Sequence, residues 1–101
     1  MPDIRLSRLA LADLRSIAEY TAHNWNVEQA EYYLDRLQKF LNLLAANPSL
    51  GRACNDIRKG YRRMEHERHV VFYRAREFGE GIDVIRILHE RMLPTKHLGE
   101  Q

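Results

Sequence analysis

The sequence predicts an α+β fold: an N-terminal strand and an antiparallel helical hairpin packed on a curved, mainly antiparallel sheet of about four strands. Two observations predict it. In the first half apolar residues recur at helical spacing, with Ala30, Leu34, Leu37, Leu41 and Leu44 stepping by four and three. The second half carries β-branched and aromatic runs around a glycine-rich turn, as in HVVFYRAREFGEGIDVIRILHERM over 69–92. Helices followed by strands, rather than alternating with them, place the helices on one face of an antiparallel sheet.

Each element has a local reason. Asp3-Ile4-Arg5-Leu6 alternates polar and apolar residues as a short strand does. Ser7 is placed to cap the first helix, its oxygen accepting a free backbone N–H. Ala10, Leu14, Ile17, Ala18 and Thr21 then carry that helix to about His23. Asn26 caps the second helix, Gln29 completes a capping box, and Trp25 is set to staple against Ala30. Tyr33 and Phe40 widen its apolar seam, and Asn47-Pro48 ends it, because proline pushes the preceding residue out of helical geometry. Leu37 and Leu41 are expected to face the sheet.

Residues 47–63, NPSLGRACNDIRKGYRR, read as irregular, with Gly51 and Gly60 marking candidate positions of positive φ. Three strands follow over 61–66, 68–76 and 82–89, with breaks short enough to make consecutive strands antiparallel. The last two are apolar on both faces. Val70 and Phe72 oppose Val71 and Tyr73, and Val84 and Leu88 oppose Ile85 and Ile87, a pattern of strands inside a sheet.

Composition excludes several classes. A chain of 101 residues, 45% hydrophobic and 30% charged, suits one globular domain over residues 1–101. No apolar run approaches the roughly 18 residues of a membrane span, and Met1-Pro2-Asp3 begins no signal peptide. The lone Cys54 excludes an internal disulfide and a four-cysteine metal site. The expectation is a cytoplasmic protein without membrane contact.

Charge is uneven along the chain. Between Arg52 and Arg76, eight basic residues (Arg52, Arg58, Lys59, Arg62, Arg63, Arg68, Arg74, Arg76) face three acidic ones (Asp56, Glu65, Glu67). Such a stretch suits an anionic partner, either nucleic acid or an acidic protein surface, and equally suits a solvated strand face.

Catalytic motifs are largely missing. There is no glycine-rich phosphate cradle, no H-E-x-x-H and no paired-carboxylate pattern. The five histidines lack metal-ligand spacing, although His66 and His69 lie three apart, so no metal and no cofactor are expected. What remains is a cluster of Arg, His and Tyr on strands and at strand ends. It could serve an RNase by acid–base work and phosphate stabilisation, or a protein-binding surface.

Particular stretches resemble a known family. LSRLALADLRSIAEYT, W-N-x-x-x-A-x-x-Y from Trp25 to Tyr33, NPSLGR, IRKGYRR, HVVFYR and the closing IRILHERM with His97-Leu98 together resemble the ParE branch of the RelE/ParE toxin superfamily. The resemblance runs almost the full length. It implies the toxin of a bacterial type II toxin–antitoxin module, folded and inactive in a hetero-oligomer with a cognate ParD-like antitoxin. For this branch it implies DNA gyrase as target rather than messenger RNA, with direct nucleic-acid binding not required. Ribonuclease members of the superfamily tend to carry an Arg after the strand histidine and a Tyr near the end of the C-terminal strand. Here Val70 follows His69, and Glu90-Arg91 follows His89.

Two alternatives stay open: a RelE-type ribosome-dependent mRNA endonuclease using Arg62, Arg63, His89 and Arg91, and a non-toxic module that retains antitoxin binding. The candidate antitoxin- or target-binding residues are Arg52, Arg58, Arg62, Arg74, Arg76, Arg86, His89 and Arg91, with Arg74, Arg76, Arg86, His69 and His89 expected on one polar contact face. The tail LPTKHLGEQ is expected beside that surface and dispensable for the fold.

Overall fold

The computed structural model describes residues 2–92 and 94–98. A short strand, β1 (Asp3–Leu6), leads into two helices, α1 (Arg8–Asn24) and α2 (Val27–Ala46). A 3-10 turn (Pro48–Leu50) follows, then strands β2 (Arg52–Ala53), β3 (Arg62–His66), β4 (His69–Ala75) and β5 (Gly81–His89), and a five-residue helix, α3 (Pro94–Leu98). The strands form one open sheet in the order β1-β5-β4-β3-β2. It is mixed: β1 runs parallel to β5, and every other neighbour is antiparallel.

The helix caps are those the sequence predicts. Ser7 Oγ accepts from Ala10 N at 2.9 Å, and Asn26 Oδ1 accepts from Gln29 N at 2.8 Å. Only Trp25 and Asn26 separate the helices, which forces a tight reversal. Trp25 does not staple the hairpin: it is 74% exposed, and its backbone N–H instead closes α1 on Thr21 O.

The doubly apolar strands β4 and β5 lie inside the sheet and need a cover on each face. On one face Leu37, Leu41 and Leu44 of α2, with Ala10 and Ile17 of α1, pack on Val71, Tyr73, Ile82, Val84 and Ile87. On the other face Cys54, Tyr61 and Leu98 pack on Val70, Phe72, Ile85 and Leu88, with Ile57 alongside.

Three expectations are corrected here. The sheet has five strands, because Arg52–Ala53 pairs with Arg62–Arg63 inside the segment that looked irregular. The face assignment of β5 changes because the register with β4 shifts between Phe72 and Tyr73: Phe72 faces Arg86 but Tyr73 faces Val84. Ile85 is the extra residue of a β-bulge, so the alternation slips by one. Val84 and Ile87 therefore share the helix-covered face, and Ile85 joins Leu88 on the opposite one. Finally, the tail is part of the fold. Leu98 is 1% exposed and completes the second core, and Arg86 Nη1 donates to His97 O at 3.2 Å. Residues 93 and 99–101 of that tail lie outside the described residues.

Two local contacts set the sheet's ends. Gly81 opens β5 at φ 115°, and any Cβ there would overlap the Asp3 backbone, so glycine is required for β1 to pair. The buried Tyr73 hydroxyl accepts from Gly51 N at 2.8 Å and donates to Pro48 O at 2.7 Å, which pins the 3-10 turn to β4.

Leu37→Ala, Leu41→Ala and Leu98→Ala should each destabilise the protein by about 2–5 kcal/mol in urea denaturation, through lost burial and the cavity left behind. Truncation after Met92 should cost at least as much as Leu98→Ala.

Candidate functional site

On the face away from the helices, α3 and residues 54–61 cover one end of the sheet. The other end is an open cleft of about 330 Å³. Its floor is a transverse row set by register, Arg5 on β1 beside Asp83 on β5 beside Arg74 on β4. Arg74 Nε donates to Asp83 Oδ2 at 3.2 Å, and Arg76 Nη1 donates to Asp3 Oδ2 at 2.5 Å. Leu6 and Phe78 line the rim, Phe78 being almost fully out in solvent at the tip of the β4–β5 turn. Arg52 pairs with Glu65 on the same face, and the Arg63 guanidinium lies 5.7 Å from the centre of the Phe72 ring. The cleft thus combines three arginines, two of them paired with Asp83 and Asp3, with the carboxylate of Glu77 and apolar edges, a composition that suits an amphipathic peptide whose acidic groups meet Arg5.

The remaining candidates lie elsewhere. Arg62 donates to Gly51 O at 2.7 Å, on the side of β3 opposite Arg63. Arg58 lies 5.9 Å from the centre of the Tyr61 ring in the 54–61 segment. Arg86 reaches over the free edge of β5 and grips Asp13 of α1 with both ends of its guanidinium, Nε to Oδ2 at 2.8 Å and Nη2 to Oδ1 at 2.9 Å. Both side chains are nearly buried, so this pair joins α1 to the sheet. The expected single contact face is therefore divided: Arg74 and Arg76 lie on the open face, Arg86 at an edge, and His69 and His89 on the helix-covered face.

Those two histidines belong to a row that the sequence did not reveal. His66, His69 and His89 stand side by side across β3, β4 and β5. Tyr33 of α2 bonds His69 Nδ1 through its hydroxyl at 2.6 Å, and the His66 ring stacks on Phe40 at 4.5 Å. The rings of His69 and His89 meet edge-on at 5.7 Å. Arg91 N donates to His89 Nδ1 at 3.2 Å. Burial pushes the Tyr33 phenol up to about 12. Burial also lowers the His66 imidazole, and lowers His69 with added repulsion from His89 and His66. The signal missed was Tyr33, whose place in an apolar seam concealed its hydroxyl.

The four residues of the ribonuclease alternative do not converge. Arg62 stands four residues before His66, and His89 pairs with His69 one strand further on. At ~3.3 Å per residue and ~4.8 Å per strand spacing, Arg62 and His89 are roughly 16 Å apart. That is a backbone separation, and the Arg62 guanidinium adds to it by bonding Gly51 O on the β2 side of β3, away from β4 and β5. Among the described residues no group of His, Cys, Asp and Glu could hold a metal ion, and no helix is long and apolar enough to cross a membrane.

The chain and its fold have relatives. The ParE toxin of the type II toxin–antitoxin system parDE matches as a family over residues 4–94. The chain is 50% identical over 94 residues to Toxin ParE1 of Mycobacterium tuberculosis (strain CDC 1551 / Oshkosh), covering 92% of this chain and 94% of that one. It is 42% identical over 99 residues to Toxin ParE1 of Caulobacter vibrioides, covering 98% and 100%. A solved structure of the chromosomal ParDE system from P. aeruginosa aligns with a TM-score of 0.72 over 88% of this chain and 96% of that one, at 21% identity, which shows the shared fold. The chain belongs to the ParE toxin family of type II toxin–antitoxin systems.

The histidine row makes stability depend on pH. Folding lowers the affinity of His66 and His69 for protons, so the unfolded chain binds more protons near their ordinary value of about 6.5. Stability from these groups is present above that value and is lost as pH falls through the lower folded values. The urea midpoint should therefore drop between about pH 7.5 and about pH 5, and His66→Phe, which keeps the stack on Phe40, should reduce that drop.

Proposed function

We propose that the chain acts as one toxin domain in the cytoplasm, inhibits DNA gyrase when free, and is neutralised by a ParD-type antitoxin. The observation that carries this reading is the open cleft in which Arg5, Arg74 and Arg76 stand beside Asp83 and Glu77 between the apolar edges of Leu6 and Phe78, with Arg5 making no ion pair among the described residues. An antitoxin tail with acidic and apolar residues is complementary to it. The tail would lay a helix along α1 and α2 and extend across the sheet toward the basic 52–76 stretch. Gyrase as target rests on membership of the ParE family and on the resemblance of the chain to that branch. The chemistry of the site agrees with action by binding. Phosphodiester cleavage needs donors aimed at the charge of the transition state, and losing one typically costs about 10²–10³ in rate. Here Val70 offers no donor after His69, Glu90 adds a like charge after His89, Arg63 lies on the opposite face of the sheet, and Arg62, though on the histidines' face, is held by Gly51 O.

Purified toxin without antitoxin should inhibit supercoiling by gyrase or trap cleaved DNA, and should leave ribosome-bound messenger RNA intact. Codon-positioned cuts that disappear in His89→Ala would replace this reading with the endonuclease. No effect on either, with antitoxin still bound, would identify an inert binding module.

Charge reversal on the exposed positions Arg58 and Arg91 should slow antitoxin association several-fold and flatten its dependence on salt in stopped-flow measurements. Unchanged rates and salt slope would move the docking face away from these residues.

A further inference from the structure

β1 is a sheet edge whose outer side has no strand against it among the described residues. Its hydrogen-bonding phase is determined: Asp3 N donates to Glu80 O at 3.1 Å and Ser7 N to Val84 O at 3.0 Å, so the odd-numbered residues bond inward to β5. Ile4 and Leu6 therefore direct their N–H and C=O groups outward. An extended strand can add there only in register with those two residues.

Charge decides which strand fits. Asp3 and Arg5 flank Ile4 and point to the open face, while Ile4 packs on the core below the helices. A second copy of β1 approaching antiparallel about a two-fold axis has four registers centred on its residues that respect the outward phase: those on Asp3, Ile4 and Arg5, and one on Leu6 that overlaps only the last strand residue, sets Arg5 against Ser7 and forms no ion pair. The first sets aspartate against aspartate and the third arginine against arginine. Only the register centred on Ile4 sets Asp3 of each copy against Arg5 of the other, twice, by symmetry. Directly opposed residues hold their Cβ atoms about 4.5–5.5 Å apart, within reach of an ion pair.

The side chains are disposed for this. Arg5 is exposed and makes no ion pair among the described residues, although it sits beside Asp83, whose carboxylate is taken by Arg74. Asp3 uses only Oδ2 toward Arg76, leaving Oδ1 to accept from Arg5 of a second copy. Leu6, 37% exposed, would lie across from Pro2, whose missing N–H removes a donor and leaves a carbonyl to accept from the Leu6 amide.

We propose that β1 is a self-complementary edge through which two copies of this chain form a symmetric dimer with a continuous ten-stranded sheet. Ile4 of each copy exchanges both main-chain hydrogen bonds with Ile4 of the other. With a strand of four residues the interface belongs to the small class below about 1,200 Å², so the dimer is weak and appears as concentration rises. It requires neither gyrase nor antitoxin.

The test is sedimentation equilibrium of the intact, antitoxin-free chain over a wide concentration range, with circular dichroism to verify folding. The wild type should pass from monomer to dimer. Arg5→Asp, which disturbs no ion pair within the fold, should remain monomeric at concentrations where the wild type is mostly dimer. The exchange Asp3→Arg with Arg5→Asp should restore dimer, because opposite charges again face each other. A second measurement fixes the register: a mixture of Asp3→Cys and Arg5→Cys chains should form disulfide-linked heterodimers, while neither variant alone cross-links to the same extent. A wild type that stays monomeric throughout, an Arg5→Asp variant that dimerises as the wild type does, or cross-linking indifferent to the mixture would each overturn the proposal.

Discussion

A single carboxylate joins the two halves of this molecule. β1 ends at Leu6, which leaves the edge of β5 uncovered from Ile85 onward. Ser7 Oγ donates to Ile85 O at 2.6 Å, and Asp13 Oδ2 then accepts from Ile87 N at 2.9 Å while holding Arg86 at both ends. The first turns of α1 thus take the place of a missing strand. Removing one partner of such a nearly buried pair strands the other charge, a loss of about 3–5 kcal/mol against a total stability of about 5–15. The position of α1, the helix-side core and the anchoring of α3 through Arg86 all follow from this contact.

What could be read from the sequence was what is local. Caps at Ser7 and Asn26, the seam through Leu37 and Leu41 and the end at Pro48 depend on neighbours within one or two turns, and the residues there state the geometry directly. The bulge at Ile85 is different. Nothing in GIDVIRILH marks which residue lacks a partner, because the shift is settled by β4 and by the edge contacts of α1. One unseen residue reverses the face of everything on one side of it, which is why Ile85 and Ile87 were grouped together and Arg86 was placed on a contact face. The strand at Arg52–Ala53 was too short to show a period, and Leu98 looked like tail because its contacts lie far off in the chain.

The site was legible in kind more than in place. An excess of arginine between 52 and 76 is real, yet many of those cations already face carboxylates: Arg52 with Glu65, Arg74 with Asp83, Arg76 with Asp3. Exposed pairs of this sort contribute about 0–1 kcal/mol each. They hold the side chains in an ordered array at little energetic cost to exchange, so an incoming acidic residue can replace an internal one. The histidine row answers to different physics. Its groups are half-buried, burial disfavours the charged forms of His66 and His69, Tyr33 and Phe40 join the row to α2, and its spacing across three strands reflects register that no linear motif records.

The parallel pairing of β1 with β5 has a consequence for synthesis. Asp3 must wait for Gly81 before it has a neighbour in the sheet. At roughly 5–20 residues per second on the ribosome, that interval is on the order of 4–16 s. Throughout it, α1 and α2 can form as a hairpin, but the sheet they cover does not yet exist. Contacts of such long range also make closing the sheet slow relative to forming the helices. The nascent chain therefore passes through a period with its apolar helical faces open, and a partner that binds those faces would meet the toxin before its open-face cleft has been assembled.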